Sequence, residues 1–186
     1  MHPARSRTLT LATALGLALA APATAANFDS TYTDLDLNEC SIIHSDDFGT
    51  EWACPGYKGI PVMLREGDLR FFVSYGLEST TEKAAEQTLP AFNYVGGKIE
   101  WRLSNQSGAF KPVATILRWF TDKGENDGDK PGQILVVTRL APGNTCHIAY
   151  VDALLTPNAN QVARDLADEM ALTFDCANDE PAVVPD

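Results

Sequence analysis

The sequence predicts a single α+β domain in which an antiparallel β-sheet carries a C-terminal α-helix on one face and two disulfides hold the chain together. Three observations predict this class. Apolar and polar residues alternate along several short segments, turn signals recur about every dozen residues, and one helical repeat stands near the C-terminus. Hydrophobic residues make up 45% of the chain and charged residues 21%, which is typical of a globular protein and excludes a disordered one.

Residues 1–26 have the three parts of a secretory signal peptide. Arg5 and Arg7 provide the positive start, the rest of the stretch carries no charge and is rich in Leu and Ala, and Ala23-Thr24-Ala25 forms an A-x-A cleavage site. We therefore expect cleavage after Ala25 or one residue later. The mature protein is then periplasmic or secreted and has no membrane anchor.

The mature chain divides into a single α+β domain at residues 27–178 and a disordered acidic tail at residues 179–186. Of 14 Lys+Arg, Arg5 and Arg7 leave with the signal peptide, so 12 bases face 25 acids and the net charge is −13. Such a charge repels nucleic-acid phosphates and anionic lipids and attracts cations. We predict a basic protein partner, no nucleic acid and no membrane partner.

An even number of cysteines behind a signal peptide predicts disulfides. Of the three pairings that four cysteines allow, we favour Cys40 with Cys54 and Cys146 with Cys176, because each closes a local loop. The alternative is a metal site that uses Cys40, His44 and Cys54, with Cys146 and His147 as candidate further ligands. That spacing matches no zinc motif, so the sequence predicts no metal and no cofactor.

The strand pattern begins soon after the signal peptide. Leu35 and Leu37 alternate with polar residues and Ile42-Ile43 follow, which predicts a first pair of short strands. Residues 46–49, Asp-Asp-Phe-Gly, predict a turn in which aspartate caps its own backbone. The remaining predicted strand segments are residues 60–66, 69–75, 98–103, 113–120, 134–140 and 146–151. The second of these follows the first across Gly67-Asp68, which predicts a hairpin.

Two segments predict helices. Ser79-Thr80-Thr81-Glu82 fits a capping box and predicts a short helix that ends before Pro90. The stronger pattern is C-terminal, with Thr156 as N-cap and Pro157 at the first helical position. Its apolar stripe is Val162, Ala163, Leu166, Met170 and Phe174, and its opposite face is Arg164, Asp165 and Asp168. The stripe packs on the sheet in our interpretation, and a partner-binding surface is the alternative.

The sequence predicts no catalytic residue. Only His44 and His147 remain after signal removal, which limits any triad that needs a histidine base. Ser74 lacks the G-x-S-x-G elbow, because Phe72 stands where the first glycine is required. The loop at residues 122–129 gathers four acids and an asparagine, yet its spacing fails the EF-hand template for calcium.

Aromatic residues give the candidate interaction surface. Adjacent aromatics on a strand, such as Phe71-Phe72, point to opposite faces, and one helix covers only one face of a sheet. The candidate surface comprises Asp46, Asp47, Trp52, Tyr57, Phe71 and Phe72. Such patches often mark interaction sites. The alternative is a second layer, formed by residues 78–95, that buries these aromatics.

Three segments, EWACPGYKG at residues 51–59, GDLRFFVSYG at 67–76 and NTCHIAYVDA at 144–153, resemble a family of uncharacterised exported proteins of proteobacteria, alphaproteobacteria in particular. The resemblance spans most of the mature chain and implies a location but no activity. We therefore expect an exported, periplasmic binding or interaction protein that is not an enzyme. One alternative is an inhibitor of a cationic cell-wall hydrolase such as lysozyme, and another is a small hydrolase that uses His44 or His147.

Overall fold

Two β-sheets and one α-helix make up the computed structural model, which describes residues 27–122 and 130–185. The predicted signal peptide and residues 123–129 of the acidic loop lie outside the described residues. The elements in chain order are β1 (Phe28–Asp34), β2 (Ser41–Asp46), β3 (Gly49–Cys54), β4 (Val62–Gly67), β5 (Arg70–Tyr75), β6 (Asn93–Ser104), β7 (Lys111–Thr121), β8 (Gly132–Arg139), β9 (Cys146–Asp152), α1 (Ala159–Met170) and β10 (Ala182–Val184).

The strands divide into a six-stranded sheet, in the order β1-β6-β7-β8-β9-β10, and a four-stranded sheet, in the order β2-β3-β4-β5. The prediction of one antiparallel sheet is therefore wrong in two respects. There are two sheets, and the larger one is mixed, because β10 runs parallel to β9. The four-stranded sheet is antiparallel throughout.

Apolar residues on both faces of the six-stranded sheet explain the second sheet. On β7, Leu117 and Trp119 belong to a core shared with the four-stranded sheet, whereas Ala114 and Ile116 belong to a core shared with α1. Each face therefore needs its own cover. The result is three layers, with the six-stranded sheet between the four-stranded sheet and the helix.

Helix α1 packs on one face of the six-stranded sheet, as the sequence predicts. Its N-cap is Asn158 rather than Thr156. Ala159, Ala163 and Ala167 are buried against the sheet, and the small side chains at this spacing let the helix approach the strands closely. The apolar stripe thus serves core packing rather than a partner.

Polar residues of α1 and β6 also meet across this interface, although Arg164 and Asp168 are predicted to lie opposite the apolar stripe of the helix. The Arg164 guanidinium contacts the Glu100 carboxylate at 2.6 Å, and Arg102 contacts Asp168 at 2.5 Å. Glu100 and Arg102 are 8% and 7% exposed. Of the polar residues on the strand at residues 98–103, Glu100 and Arg102 are buried because α1 covers them, whereas Lys98 stays exposed.

The predicted hairpin at Gly67-Asp68 is confirmed by β4 and β5, and the turn at residues 46–49 joins β2 to β3. The first pair of strands differs from the prediction. Strand β1 pairs with β6 rather than with β2, and Leu37 starts a short 3-10 helix. A local pattern cannot show a partner strand that lies some 70 residues away in sequence.

The segment between β5 and β6 forms only a 3-10 helix, Lys83–Glu86, instead of the predicted capping-box helix. The Glu82 carboxylate does not cap this helix. It accepts hydrogen bonds from the backbone N–H groups of Gly143 at 2.6 Å and Thr145 at 2.8 Å. This segment is consequently tied to the β8–β9 connection, where it covers part of the six-stranded sheet.

Both predicted disulfides, Cys40–Cys54 and Cys146–Cys176, are present. Residues 179–185, the described part of the predicted disordered tail, contain the short strand β10 where the prolines and acids predict disorder. The apolar residues Ala182 and Val184 pack on the helix-side core while β10 pairs with the edge of β9. Across the described ranges, no helix has the length and apolar character needed to cross a membrane.

Candidate functional site

The four-stranded sheet separates the aromatic residues of the predicted interaction surface. Trp52, Tyr57 and Phe71 are half-buried and pack against the core between the sheets. The rings of Trp52 and Phe71 stack with centroids 6.1 Å apart, and Tyr57 lies 6.1 Å from the ring of Trp101. These three residues therefore form part of the core rather than an exposed patch.

Phe72 points to the opposite, outer face of the same sheet. The Arg65 guanidinium lies over its ring at 4.4 Å from the centroid, and Arg65 Nη2 also donates to the Ala85 carbonyl at 3.2 Å. Phe72 lines the same open groove as Asp46 and Asp47. The structure thus brings together three of the six predicted residues on the outer face and moves the other three inward.

This groove exists because two turns lie side by side. Gly49, after the β2–β3 turn, pairs with Gly67, before the β4–β5 turn. A Cβ atom at residue 49 would lie 2.1 Å from the Glu66 carbonyl oxygen, so only glycine permits this approach. The β2–β3 and β4–β5 turns consequently form one end of the four-stranded sheet.

We call this feature the acidic groove: an open depression of about 670 Å³ on the outer face of the sheet, at the two turns. Its carboxylates are Asp46, Asp47, Glu51, Glu66 and Asp68. The basic groups that line it are Arg65 and, when protonated, His44. Arg65 keeps its positive charge over Phe72, and Arg70 pairs with Asp68 at 2.6 Å, but five carboxylates outnumber these two arginines, so the groove presents a negative field to solvent.

Hydrogen bonds within the β2–β3 turn hold the Asp46 carboxylate in its ionised form. Its Oδ1 accepts hydrogen bonds from the N–H groups of Phe48 at 2.8 Å and Gly49 at 3.1 Å, and its Oδ2 lies 3.2 Å from His44 Nε2. The bond from Phe48, followed by that with His44, lowers the pKa of Asp46. The carboxylate is therefore ionised at neutral pH, and its role as an aspartate turn cap is confirmed.

Two apolar side chains stand beside these acids. Phe48 is 88% exposed at the β2–β3 turn, and Leu69 is 62% exposed at the β4–β5 turn. The sequence predicts a turn at Phe48, but Phe48 is not among the residues of the predicted interaction surface. The available signal was an aromatic residue at a turn position where polar residues are usual. Together with the carboxylates, Phe48 gives the groove an amphipathic rim.

His147 lies in the protein interior, where its side chain is closed off from solvent. It is 1% exposed, and burial lowers its pKa to about 3. Its Nδ1 forms a 2.9 Å hydrogen bond with the Tyr150 hydroxyl, its ring meets Trp119 edge-on at 5.8 Å, and its Nε2 has no partner among the described atoms. The hydrolase alternative therefore retains only His44, whose contact is Asp46.

The thiols of the proposed Cys40, His44 and Cys54 metal set are consumed by the disulfide, which removes that alternative. Within residues 27–122 and 130–185, no three side chains of His, Cys, Asp or Glu are grouped as metal ligands. Most of the acidic loop considered for calcium lies outside those ranges.

The fold and the groove define a three-layer β/β/α protein with an acidic, aromatic-rimmed surface at one end of its smaller sheet. Comparison with known proteins adds no relative: no family model, no curated protein and no solved structure matches the chain. The resemblance to the exported proteobacterial family stays an expectation.

Proposed function

We propose that this chain is an exported, non-enzymatic binding protein whose acidic groove takes a basic protein partner. The observation that carries the proposal is the joining of two turns, which sets an 88%-exposed phenylalanine among five carboxylates. Export to the periplasm is supported by the signal-peptide pattern of residues 1–26 and by the two disulfides, which form in oxidising compartments.

Net charge mainly affects the association rate of such a complex, whereas buried contacts mainly affect its affinity. A mature net charge of −13 steers a cationic partner toward the protein and raises the association rate, most strongly at low salt. Affinity requires desolvated contacts, and aromatic anchors provide most of it at protein interfaces. Phe48 is the exposed aromatic residue that the groove offers for this purpose.

Strand β2 extends the same surface. All six of its residues are exposed, and no strand of the described chain pairs with its outer edge. Ile42 and Ile43 are 64% and 50% exposed there. An extended segment of the partner can pair with this edge, and β-branched residues favour that geometry.

The test measures binding of lysozyme, used as a basic protein probe, to the immobilised mature chain. We expect Phe48→Ser to weaken binding at least about tenfold, because it removes the apolar anchor. Leu155→Ser is the control, since Leu155 is also exposed, at 69%, and lies outside the groove. Its affinity should stay within about twofold of wild type.

Salt provides an independent measure. Raising NaCl from about 20 mM to about 200 mM shortens the Debye length to less than ~10 Å. The attraction between the acidic groove and a basic protein is then screened, so the affinity should decrease. Salt-independent binding, or equal losses in Phe48→Ser and Leu155→Ser, would show that the groove is not the contact surface. Failure of lysozyme and of other basic proteins to bind at low salt would refute the proposal.

A specific version, favoured by the negative field of the groove, is inhibition of a cationic cell-wall hydrolase. A lysozyme activity assay at low ionic strength tests it with the same two variants. Inhibition by wild type that is lost in Phe48→Ser supports this version. Undiminished lysozyme activity in the presence of excess mature protein ends it.

A further inference from the structure

A second concave feature lies at the other end of β5, away from the acidic groove. It is a half-open cavity of about 330 Å³ between the end of the four-stranded sheet and the loops that flank β7 and β8. Ile60, Tyr75 and Leu77 line it from one side, and Pro112, Leu140 and Pro142 line it from the other. Its volume falls at the lower end of the ~300–1000 Å³ range of small-molecule sites.

The walls of this cavity are held in place by hydrogen bonds. Glu82, which is 5% exposed, binds the backbone N–H groups of Gly143 and Thr145 with its two carboxylate oxygens. The Thr145 hydroxyl donates to the Ala141 carbonyl at 3.0 Å. On the other side, the Gly76 N–H donates to the Pro61 carbonyl at 2.9 Å. The cavity is therefore formed before any ligand arrives, which lowers the entropic cost of binding.

The same bonds leave the cavity apolar. The Glu82 carboxylate and the Thr145 hydroxyl, two of the polar side chains that line it, are already hydrogen-bonded to the backbone. The other lining groups named above are aliphatic, proline or the body of Tyr75, which is 3% exposed. Burying the apolar surface of a ligand in this cavity is favourable. A charged ligand would lose its hydration and gain few hydrogen bonds in return, so its binding is unfavourable.

Charge at the mouth narrows the ligand class further. Glu78 lines the opening and is exposed, and the mature chain carries a net charge of −13, so an anionic ligand is repelled. Leu77 continues the apolar lining to the rim, where it is 89% exposed. We propose that this cavity is a binding site for a small uncharged apolar or aromatic molecule.

Fluorescence titration of the mature protein with N-phenyl-1-naphthylamine, an uncharged aromatic probe, tests the assignment. We expect saturable binding at one site. The related probe 8-anilinonaphthalene-1-sulfonate keeps the rings and adds a sulfonate, so it should bind at least about tenfold more weakly. Comparable affinity for both probes would refute the stated ligand class.

Probe binding to two variants tests whether the probe occupies this cavity. Leu77→Asp places a carboxylate at the rim and should weaken binding of the uncharged probe at least about tenfold. Leu155→Asp is the control, because Leu155 is also exposed, at 69%, and lies outside the cavity. Both positions are exposed, so both variants should fold.

Three results would overturn the proposal: absence of saturable binding, binding unchanged in Leu77→Asp, or equal loss in Leu155→Asp. Dimerisation of the wild type that is lost in Leu77→Asp, without probe binding, would assign this face to a second copy of the chain instead. None of these outcomes bears on the acidic groove at the opposite end of β5.

Discussion

The fold constrains the protonation state of His147 through burial. It is 1% exposed between Trp119 and Tyr150, and burial lowers its pKa to about 3 because an imidazolium there would lose its hydration. Tyr150 is the titratable group that faces it. Burial raises the pKa of Tyr150 to about 12, so this phenol stays neutral in acid.

We expect the free energy of unfolding to decrease in acid through His147. Its pKa is 6.5 in the unfolded chain and about 3 in the folded protein, so the unfolded state binds more protons between these values. The contribution is complete above pH 6.5 and is lost as the pH falls toward 3, with a slope that approaches about 1.4 kcal/mol per pH unit. Urea unfolding at a series of pH values measures this slope.

In the variant His147→Phe the free energy of unfolding should depend less on pH, by the contribution of one titrating group. This change in slope is expected whatever the stability of the variant at neutral pH. An unchanged slope in His147→Phe would assign the acid sensitivity to carboxylates whose pKa the fold lowers, Asp46 and Asp175.

At the scale of elements, the joint between α1 and β6 depends on charge as well as on alanine packing. Arg164 Nε and Nη2 donate to the two oxygens of Glu100 at 2.6 and 3.1 Å, and the side chain of Glu100 is 9% exposed. This hydrogen-bonded carboxylate raises the pKa of Arg164. Ser30 of β1 lies between the ion pairs and bonds to both Glu100 and Arg102.

Replacing Arg164 with Ala should destabilise the protein by about 2–4 kcal/mol, because Glu100 would stay buried without its cation. Urea unfolding followed by tryptophan fluorescence measures the loss. The double replacement Glu100→Leu with Arg164→Leu should recover most of it, since no unpaired charge remains.

Lys98→Ala provides the comparison for this joint. It breaks the pair between Lys98 and Asp34, whose side chains are 61% and 78% exposed, and should cost less than about 1 kcal/mol. If Arg164→Ala costs no more than Lys98→Ala, the joint owes its stability to alanine packing alone.

For the whole molecule, the two disulfides secure different layers. Cys40–Cys54 joins the start of β2 to β3 within the four-stranded sheet. Cys146–Cys176 joins β9 to the chain beyond α1, next to the segment that forms β10. They close loops of 14 and 30 residues, which the loop-entropy model converts to about 3 and about 3.6 kcal/mol.

Removing Cys146–Cys176 with alanine at both positions should lower the free energy of unfolding by about 3 kcal/mol. It should also raise amide exchange in residues 174–184, because β10 is three residues long and loses its nearest covalent anchor. Hydrogen exchange with mass spectrometry measures this in the mature protein.

The matched variant with alanine at Cys40 and Cys54 should lose similar stability while exchange in residues 174–184 stays at the wild-type level. Faster exchange of that segment in both variants would mean that unfolding is global. Unchanged exchange in both would mean that pairing with β9, rather than the disulfide, holds β10.

Parts of the candidate site were readable from sequence. The sequence predicts a turn and an exposed position for Asp46 and Asp47, because acids in an Asp-Asp-Phe-Gly turn are exposed whatever the tertiary fold. It also predicts Trp52 and Phe71 on the interaction surface, whereas both face the core. Their orientation depends on which face of the four-stranded sheet is covered, and no local pattern records that.

Features that depend on neighbours in the chain could be deduced from the sequence alone: the β4–β5 hairpin, the C-terminal helix, and a disulfide pairing that closes local loops. Division into two sheets, the partnership of β1 with β6, the burial of Glu100 and Arg102 beneath α1, and the meeting of two turns at Gly49 were decided only in three dimensions. Periodicity shows that a strand has an apolar face. Which element covers that face depends on how all the apolar faces of the protein pack together, and the local sequence does not show this.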